Sequence, residues 1–291
     1  MHNINEVAIE SLYIYPVKSM AGISMRACAA TASGFENDRQ WAIFKKDGHP
    51  LTQRQNPRMV LITPRVTDHE LYLSAEGFGE IHVKKPDQSE IVSFSIWKDR
   101  CVESYAELET NEWLADTLQE KQPLQLAKVS PQHSRIFHTP DRFSIQGQYF
   151  SDAAPYLIAN QASLSVLNNS LRKQGLREID IRHFRANIII RGIPEFSEHA
   201  VNTLSLGKLQ PSFSLIDHCQ RCAMITVDPE RGIFLPKALP FRELAALNAM
   251  PGNPKAPAFG VNARLILNNN GKSDDTAKPP ILSVGQTLYI A

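Results

Sequence analysis

The chain has 291 residues, of which 43% are apolar, and its 31 basic and 30 acidic residues leave a formal net charge of +1. This length and apolar content predict one large folded domain or two ordinary ones. The balanced charge excludes the broad positive field typical of nucleic-acid-binding proteins, so we expect no nucleic-acid partner. The sequence has neither a run near the roughly 18 apolar residues of a membrane span nor an opening typical of a secretory signal. We therefore expect a cytoplasmic protein with no membrane partner.

The four cysteines indicate the same compartment. Cys28 and Cys101 stand alone, whereas Cys219 and Cys222 form a Cys-x-x-Cys pair. This spacing differs from a secreted disulfide framework and favours a reducing environment. It also lacks the clustered spacing of ferredoxin-type sites, so we predict no iron–sulfur cluster.

The first half of the chain has the pattern of a β-rich unit. Short β-branched or aromatic runs separated by turn residues predict strands at 9–15, 41–44, 59–62, 71–73 and 91–97. Asp47 and Gly48 predict a tight turn, because both tolerate a positive φ. A helix is expected to begin near Thr110 and to bury Leu114 and Leu118. Prolines and polar residues without a sustained period predict a linker over 122–143.

Helical and strand signals alternate in the second half. Asn160 can cap a helix that buries leucines three and four residues apart, and Gly175 lies where that helix is expected to stop. Strands are predicted at 184–190, 223–227, 261–267 and 286–290, a short helix at 242–248, and loops at 251–257 and 268–280. The elements together predict a β-rich α+β protein.

The segment 217–222, Asp-His-Cys-Gln-Arg-Cys, concentrates more reactive side chains than any other stretch. Structural zinc is one interpretation, although a second Cys or His pair is missing. A thioredoxin-like redox pair is another, although that motif places its first cysteine at a helix start and a strand is predicted after Cys222. Two buried structural cysteines are a third. The fourth is a single soft ligand, a thiolate beside Arg221 that binds a transition metal otherwise held by a cofactor.

A family resemblance bears on this choice. The stretch 219–232, CQRCAMITVDPERG, resembles the Cys-x-Arg-Cys and Thr-Val-Asp-Pro-x-x-Gly segment of MOSC-domain molybdenum cofactor proteins of the amidoxime-reducing branch. In that branch the second cysteine ligates molybdenum. The resemblance therefore implies that Cys222 is the metal ligand and the catalytic residue, and that Arg221 contacts the cofactor.

Further motifs match the same family in the expected order. Tyr15-Pro-Val-Lys-Ser resembles the family's opening motif and implies cofactor contacts by Lys18 and Ser19. Asp-Arg-x-Trp implies a contact by Arg39, and two later blocks imply contacts by Ser151, Arg185 and Asn187. A pterin cofactor with a phosphate needs such cations and amides, so we expect Arg39 and Arg185 to serve an anion rather than the core.

The matches also leave second-rank candidates and departures. The segment 52–54 and Arg58 lie in a stretch that resembles the family and are weaker candidates for the same site. Asn262 stands where the family often has a tyrosine, and we retain it as a cofactor contact. Gln286 replaces the aspartate of the family's closing Val-Gly-Asp, so a carboxylate of that turn is missing here.

The resemblance implies an architecture of two units. The first is an N-terminal MOSC-associated domain, similar to a β-barrel, over residues 1–125. The second is a MOSC β-barrel with peripheral helices over 126–291. The strand that precedes Lys18 is expected to pack on the second unit, with the cofactor in the cleft between the two.

The function implied is that of a molybdenum oxidoreductase. It would use the molybdopterin cofactor to reduce a small N-hydroxylated or N-oxide substrate. Larger bacterial relatives carry a ferredoxin domain, so here an external donor protein of the flavin or haem reductase type would supply electrons. Pyridoxal phosphate binding is a further property associated with the family. The alternatives are a cofactor or sulfur carrier without reductase activity, and a silent binding module with structural cysteines.

Overall fold

The computed structural model describes residues 6–67, 70–83, 91–96, 99–107, 109–136, 149–208, 210–267 and 278–291. Its strands are β1 (Glu6–Ile14), β2 (Ile23–Met25), β3 (Ala27–Thr31), β4 (Gly34–Phe35), β5 (Trp41–Lys45), β6 (Thr63–Thr67), β7 (Glu70–Ala75), β8 (Gly79–Val83), β9 (Ile91–Ile96), β10 (Asp99–Glu107), β11 (Leu124–Ile136), β12 (Tyr156–Asn160), β13 (Ile188–Arg191), β14 (Thr203–Ser205), β15 (Ser212–Gln220), β16 (Ala249–Met250), β17 (Asn253–Ile266), β18 (Ile281–Ser283) and β19 (Thr287–Ile290). The helices are α1 (Asn111–Leu118), α2 (Gln161–Lys173) and α3 (Phe241–Leu247). Single 3₁₀ turns span Pro57–Leu61, Ile181–Phe184, Ser197–Ala200, Ala223–Thr226 and Pro236–Ala238.

Seven strands close a barrel in the order β12, β13, β1, β19, β14, β15, β17, and β17 pairs back onto β12. The first strand of the chain therefore lies between two strands from its second half. Along β1 the apolar residues alternate inward, and Ile9 and Leu12 are fully buried. Inside the barrel the Tyr156 ring meets Phe35 and Phe213 edge to face, with centroids 5.2 and 5.1 Å apart. Barrel closure thus buries one continuous apolar core.

Smaller sheets form the rest of the N-terminal half. One has the order β5, β11, β10, β9, a second runs β6, β7, β8, and a third runs β18, β3, β4. Leu114 and Leu118 of α1 are buried against this half, in a cluster that includes Ile43 and Leu73. The third sheet joins the two ends of the chain, since β18 pairs with β3.

Helices α2 and α3 cover the outside of the barrel. The Asn160 side chain accepts a hydrogen bond from the Ala162 amide and caps α2, and the helix buries Leu164, Leu167 and Leu171. After α2, the chain turns at Gly175 with φ of 68°. The start and stop predicted for this helix are both confirmed.

Three predicted strands are wrong in whole or in part. Residues 57–61 form a 3₁₀ turn, because Asn56 caps it and Pro57 suits a first helical position. Residues 223–226 also form a 3₁₀ turn, with Cys222 at its N-terminal end. The strand predicted at 184–190 starts only at Ile188, since Arg185 adopts a left-handed conformation with φ of 54°.

Two predicted loops are also wrong where the structure describes them. Most of the linker predicted at 122–143 is β11, which pairs with both β5 and β10. Pro131 falls where the β10 ladder shifts register, so the missing amide breaks no regular pairing. The loop predicted at 251–257 largely belongs to β17, which begins at Asn253. Residues 137–143, 268–277 and Trp97 lie outside the described residues. The predicted domain boundary at 125 falls within β11 and stays a prediction.

The tight approach of β17 to β12 allows a test of the barrel. Gly260 has φ of 73°, and a Cβ there would lie 2.6 Å from the Ile158 carbonyl oxygen. We expect Gly260→Ala to lower the free energy of unfolding by about 2–5 kcal/mol, from the left-handed backbone (about 1–2) and overpacking (about 1–3). Gly252→Ala is the matched control, because φ is 74° there and no atom lies within 4 Å. Equal losses in urea unfolding of the two variants would contradict this account.

Candidate functional site

A cleft lies where the segment that follows β1 meets the barrel. It encloses about 820 Å³ of open space, mouth included. All nine residues predicted for the site line it: Lys18, Ser19, Arg39, Ser151, Arg185, Asn187, Arg221, Cys222 and Asn262. The fold therefore brings the predicted set together, although their roles toward a cofactor stay predictions.

The Tyr15 ring forms the floor beneath two of these cations. Arg39 and Arg185 place their guanidinium carbons 4.5 and 4.3 Å from the centroid of the ring. Such contacts are worth about 0.5–2 kcal/mol each. Burial and the neighbouring charge of Arg39 lower the pKa of Arg185 to about 10, so it still carries its charge at neutral pH. Burial raises the pKa of Tyr15 to about 12, so the phenol stays neutral.

Arg39 also cross-links the two halves of the chain. Its NH1 group donates to Asp38 Oδ2 at 2.6 Å and to Asn187 Oδ1 at 2.9 Å, and its NH2 group donates to the Arg185 carbonyl at 2.9 Å. Arg185 in turn donates to the Met20 carbonyl at 2.5 Å. The expectation that these two arginines serve an anion rather than the core therefore needs correction: both also hold protein groups in place.

Backbone strain concentrates at the same residues. Ser19, Arg39 and Arg185 have φ of 69°, 48° and 54°. Left-handed conformations are unfavourable for residues with a Cβ and persist where surrounding contacts enforce them, often at functional sites. The Arg39 amide donates to the Tyr15 carbonyl at 2.8 Å and the Lys18 amide to the Trp41 carbonyl at 2.8 Å. These backbone bonds hold the strained residues at the cleft.

Lys18 reaches across the cleft to the loop before β12. Its ammonium donates to the Phe150 carbonyl at 2.9 Å and forms an ion pair with Asp152. Arg54 lies 3.5 Å from the other oxygen of the same carboxylate. Asp152 was not assigned to the site from the sequence, although it follows the matched Ser151. Its carboxylate shows that this end of the cleft accepts an anionic group.

The Cys219–Cys222 segment ends β15 at the cleft wall. Cys222 is exposed and Cys219 is partly buried, and both thiols are free. Arg221 donates to the Cys219 sulfur at 2.9 Å and to the Phe184 carbonyl at 2.7 Å, while its Nε is buried without a hydrogen-bond partner among the described residues. The guanidinium therefore contacts the first thiol, and the second thiol is accessible.

A metal held by protein ligands alone finds no support here. The described residues include no group of three or more His, Cys, Asp or Glu side chains arranged to hold a metal ion. A metal bound to the Cys222 sulfur would need further ligands from a cofactor. This geometry fits the single-ligand interpretation of the segment better than structural zinc.

Other lining residues were missed by the sequence interpretation. His183 lines the cleft, and burial lowers its pKa while its Nδ1 lies 2.8 Å from the Ile225 carbonyl. The amide of Asn262 donates to Asp217 Oδ1 at 2.8 Å across the β15 and β17 pairing. His183 belongs to no sequence motif with a known spacing, and only the fold brings it to the wall.

The second-rank candidates lie at different places in the structure. Gln53 does not line the cleft. Its side-chain amide donates to the Met224 carbonyl at 3.2 Å and so stabilises the turn that follows Cys222. Arg54 pairs with Asp152, as above. Arg58 lines a different cleft on the neighbouring face.

Comparison with known proteins identifies the family. Residues 6–121 match the MOSC N-terminal beta barrel domain, and residues 146–288 match the MOSC domain. The chain belongs to the MOSC family. The β-rich fold with an N-terminal barrel-like unit, a MOSC barrel and peripheral helices, predicted from the sequence, is thereby confirmed.

Named relatives place this MOSC protein more narrowly. It is similar to mitochondrial amidoxime reducing component 2 of Bos taurus, at 31% identity over 77% of this chain and 68% of that protein. It is similar to mitochondrial amidoxime-reducing component 1 of Mus musculus, at 30% identity over 77% of this chain and 67% of that protein. It is also similar to a molybdenum cofactor sulfurase of Caenorhabditis elegans, at 28% identity over 77% of this chain and 29% of that protein. At family level it is a protein associated with the molybdenum cofactor.

In the part of the chain that the structure describes, no helix is long and apolar enough to cross a bilayer.

The Arg39 cross-link predicts a stability effect that does not depend on a cofactor. Arg39→Ala leaves the Asp38 carboxylate, 3% exposed, without its charge partner. We expect the cofactor-free variant to lose about 3–5 kcal/mol of unfolding free energy, the usual cost of breaking a buried ion pair. Arg242→Ala, at an exposed position on α3, is the control and is expected to change it by no more than about 0.5 kcal/mol. If the Arg39→Ala variant has the same urea midpoint of unfolding as the wild type, the cross-link does not stabilise the fold.

Proposed function

We propose that this MOSC protein is a molybdenum-cofactor-dependent reductase of small N-hydroxylated or N-oxide substrates. The observation that carries the proposal is the convergence on one cleft of an exposed thiol, Cys222, with the cations Lys18, Arg39, Arg185 and Arg221. The similarity to amidoxime reducing components supports the reaction class. Cys222 is proposed as the metal ligand.

The lining fits a phosphorylated pterin in its donor set. Ser19 is 1% exposed, and its hydroxyl oxygen lacks a hydrogen-bond partner among the described residues. The Arg221 Nε is also buried and lacks a hydrogen-bond partner among the described residues. Buried polar atoms without partners are costly, so a ligand that bonds to them would be stabilised. At the Lys18 side of the cleft, an anionic group of such a ligand would take the place of the Asp152 carboxylate, which pairs there with Lys18 and Arg54.

When bound, the cofactor would supply two-electron chemistry at molybdenum. The chain's own residues have simpler tasks. Cys222 offers a soft sulfur ligand at an exposed position, and Lys18 with the arginines neutralises negative charge. Asn187, held by Arg39 and by its own bond to the Tyr13 carbonyl at 3.2 Å, keeps the inner wall rigid. His183, whose pKa burial lowers, is a neutral proton carrier at the wall.

A second candidate function has one observation in its favour. The similarity to a molybdenum cofactor sulfurase supports a carrier or sulfur-transfer role without reductase activity. Both candidates use the same cleft and the same thiol. Turnover of a hydroxylamine by cofactor-loaded protein with an artificial electron donor separates them, because a carrier would bind molybdenum and give no reduction.

The partners and compartment are part of the proposal. We propose an external flavin or haem protein as electron donor, and a cytoplasmic location. The named amidoxime-reducing relatives are mitochondrial, so localisation of the tagged full-length protein in its own cell is the appropriate test.

Substitution of the two thiols tests the ligand assignment. We expect Cys222→Ser to lose molybdenum and hydroxylamine reduction, because an alcohol is a poor soft-metal ligand. Cys219→Ser is the matched control and is expected to keep most of both, since its sulfur contacts Arg221 within the wall. Elemental analysis and turnover are measured on protein from a host that makes the cofactor. Equal loss in both variants would favour a paired-thiol mechanism instead.

Electron supply gives a further prediction. The sequence contains neither ferredoxin-type cysteine spacing nor a Gly-x-Gly-x-x-Gly motif after a strand. We expect the cofactor-loaded protein with a nicotinamide donor alone to give no turnover, and an added flavin reductase to restore it. Rapid oxidation of the nicotinamide by the purified chain alone would reveal an internal electron path and refute this expectation.

A further inference from the structure

A second cleft lies on the face next to the cofactor cleft. It holds about 1,910 Å³ of open space, mouth included. One side is formed by the 3₁₀ turn Pro57–Leu61 and the other by the 228–232 turn. The two sides are in contact, since a Cβ on Gly232 would lie 2.8 Å from the Leu61 side chain and 3.3 Å from the Arg58 Cα. The 228–232 turn thus belongs to the second cleft rather than to the cofactor cleft.

Cations without partners mark this cleft. Among the described residues, neither Arg58 nor Arg231 forms a side-chain ion pair or hydrogen bond, and the Arg58 Nε is buried. Arg182 also lines the cleft but is paired with Asp180 at 2.8 Å and Glu230 at 2.9 Å. Glu76 is the remaining carboxylate of the lining. Among the lining residues three arginines therefore face two carboxylates, and the two arginines without a partner, Arg58 and Arg231, can attract a further anionic group.

The lining also has features typical of a protein contact. The Thr117 residue is 5% exposed, and its hydroxyl has no hydrogen-bond partner in the described part of the chain. Leu61 and Phe78 are each 38% exposed at the same cleft. Polar atoms left without partners beside exposed apolar side chains fit a surface that is completed by a partner.

The two clefts share one thin wall. Lys18 and Ser19 line the cofactor cleft, and Ala21 and Gly22, two residues further on, line the second cleft. Likewise, His183 lines the cofactor cleft and its neighbour Arg182 lines the second cleft. Gly22 lies against the Tyr15 ring so closely that a Cβ would come within 2.4 Å of it. The same ring also contacts Arg39 and Arg185 of the cofactor cleft, so Tyr15 touches residues of both linings.

We propose that the second cleft is the docking site of the electron-donor protein and that it receives an acidic side chain of the donor between Arg58 and Arg231. This inference rests on the reductase function proposed above. Charge complementarity selects an acidic partner, and the shared wall places it near the cofactor cleft without covering the mouth. Donor and substrate then bind to different faces, so they do not compete.

The test uses photoreduced flavodoxin, an acidic flavin protein, as the donor and a hydroxylamine as the substrate. We expect Arg58→Glu/Arg231→Glu to raise the KM for flavodoxin about tenfold, since two attractive contacts become repulsive. With reduced methyl viologen, which needs no docking surface, kcat stays within about twofold of wild type. Arg242→Glu is the control, because Arg242 is exposed on α3 and lines neither cleft, and it leaves both rates unchanged. Arg231→Glu alone, at an exposed position, tests the same cleft if the double variant folds poorly.

Binding measured without turnover separates this proposal from the reductase function. Oxidised, fluorescently labelled flavodoxin is titrated with the full chain, and the double variant is expected to raise its Kd about tenfold. An unchanged Kd, a wild-type protein that does not bind saturably, or competition between substrate and flavodoxin would each overturn the docking site. Absence of turnover with methyl viologen would instead refute the reductase function, and the titration would still decide the cleft.

Discussion

The Tyr15 ring, which contacts two guanidinium groups, is the feature on which the cleft depends. It packs against Arg39 and Arg185, and its close approach to residue 22 leaves room only for glycine there. Its backbone amide donates to Asp38 at 2.7 Å, and this carboxylate also neutralises Arg39. Two like charges near each other are tolerated because a buried carboxylate, a π face and main-chain carbonyls surround them. Removal of any of these groups would leave a buried charge without compensation.

The placement of the site was largely predictable, and its chemistry only partly so. Motif residues as far apart in sequence as Lys18 and Asn262 line one cleft, as their match to one family's motifs predicts. The sequence could not show which donors are already used. Arg39 and Arg185 were expected to be available for an anion, yet they donate to Asn187 and to main-chain carbonyls. Such bonds join segments far apart in sequence, and no local pattern encodes them.

The errors in secondary structure have a common physical cause. Apolar runs such as 59–62 and 223–226 are only about four residues long, and a run of that length does not distinguish a strand from a tight helical turn. The reverse error occurred at β11. Its polar residues and Pro131 predict a loop, but the segment is a strand because it pairs with neighbouring strands on both edges. Left-handed residues such as Ser19 were also not predictable, since the surrounding fold imposes them.

The position of β1 between β13 and β19 has a consequence for how the protein is made. Besides the neighbouring β2, β1 pairs with β13 and β19, which are synthesised much later, so the barrel cannot close until β19 has left the ribosome. Until β13 has been made, β1, with its buried Ile9 and Leu12, has no neighbouring strand other than β2. Contacts of this sequence separation slow folding and leave unpaired edges exposed. We expect nascent chains that lack β19 to be clients of chaperones rather than folded intermediates.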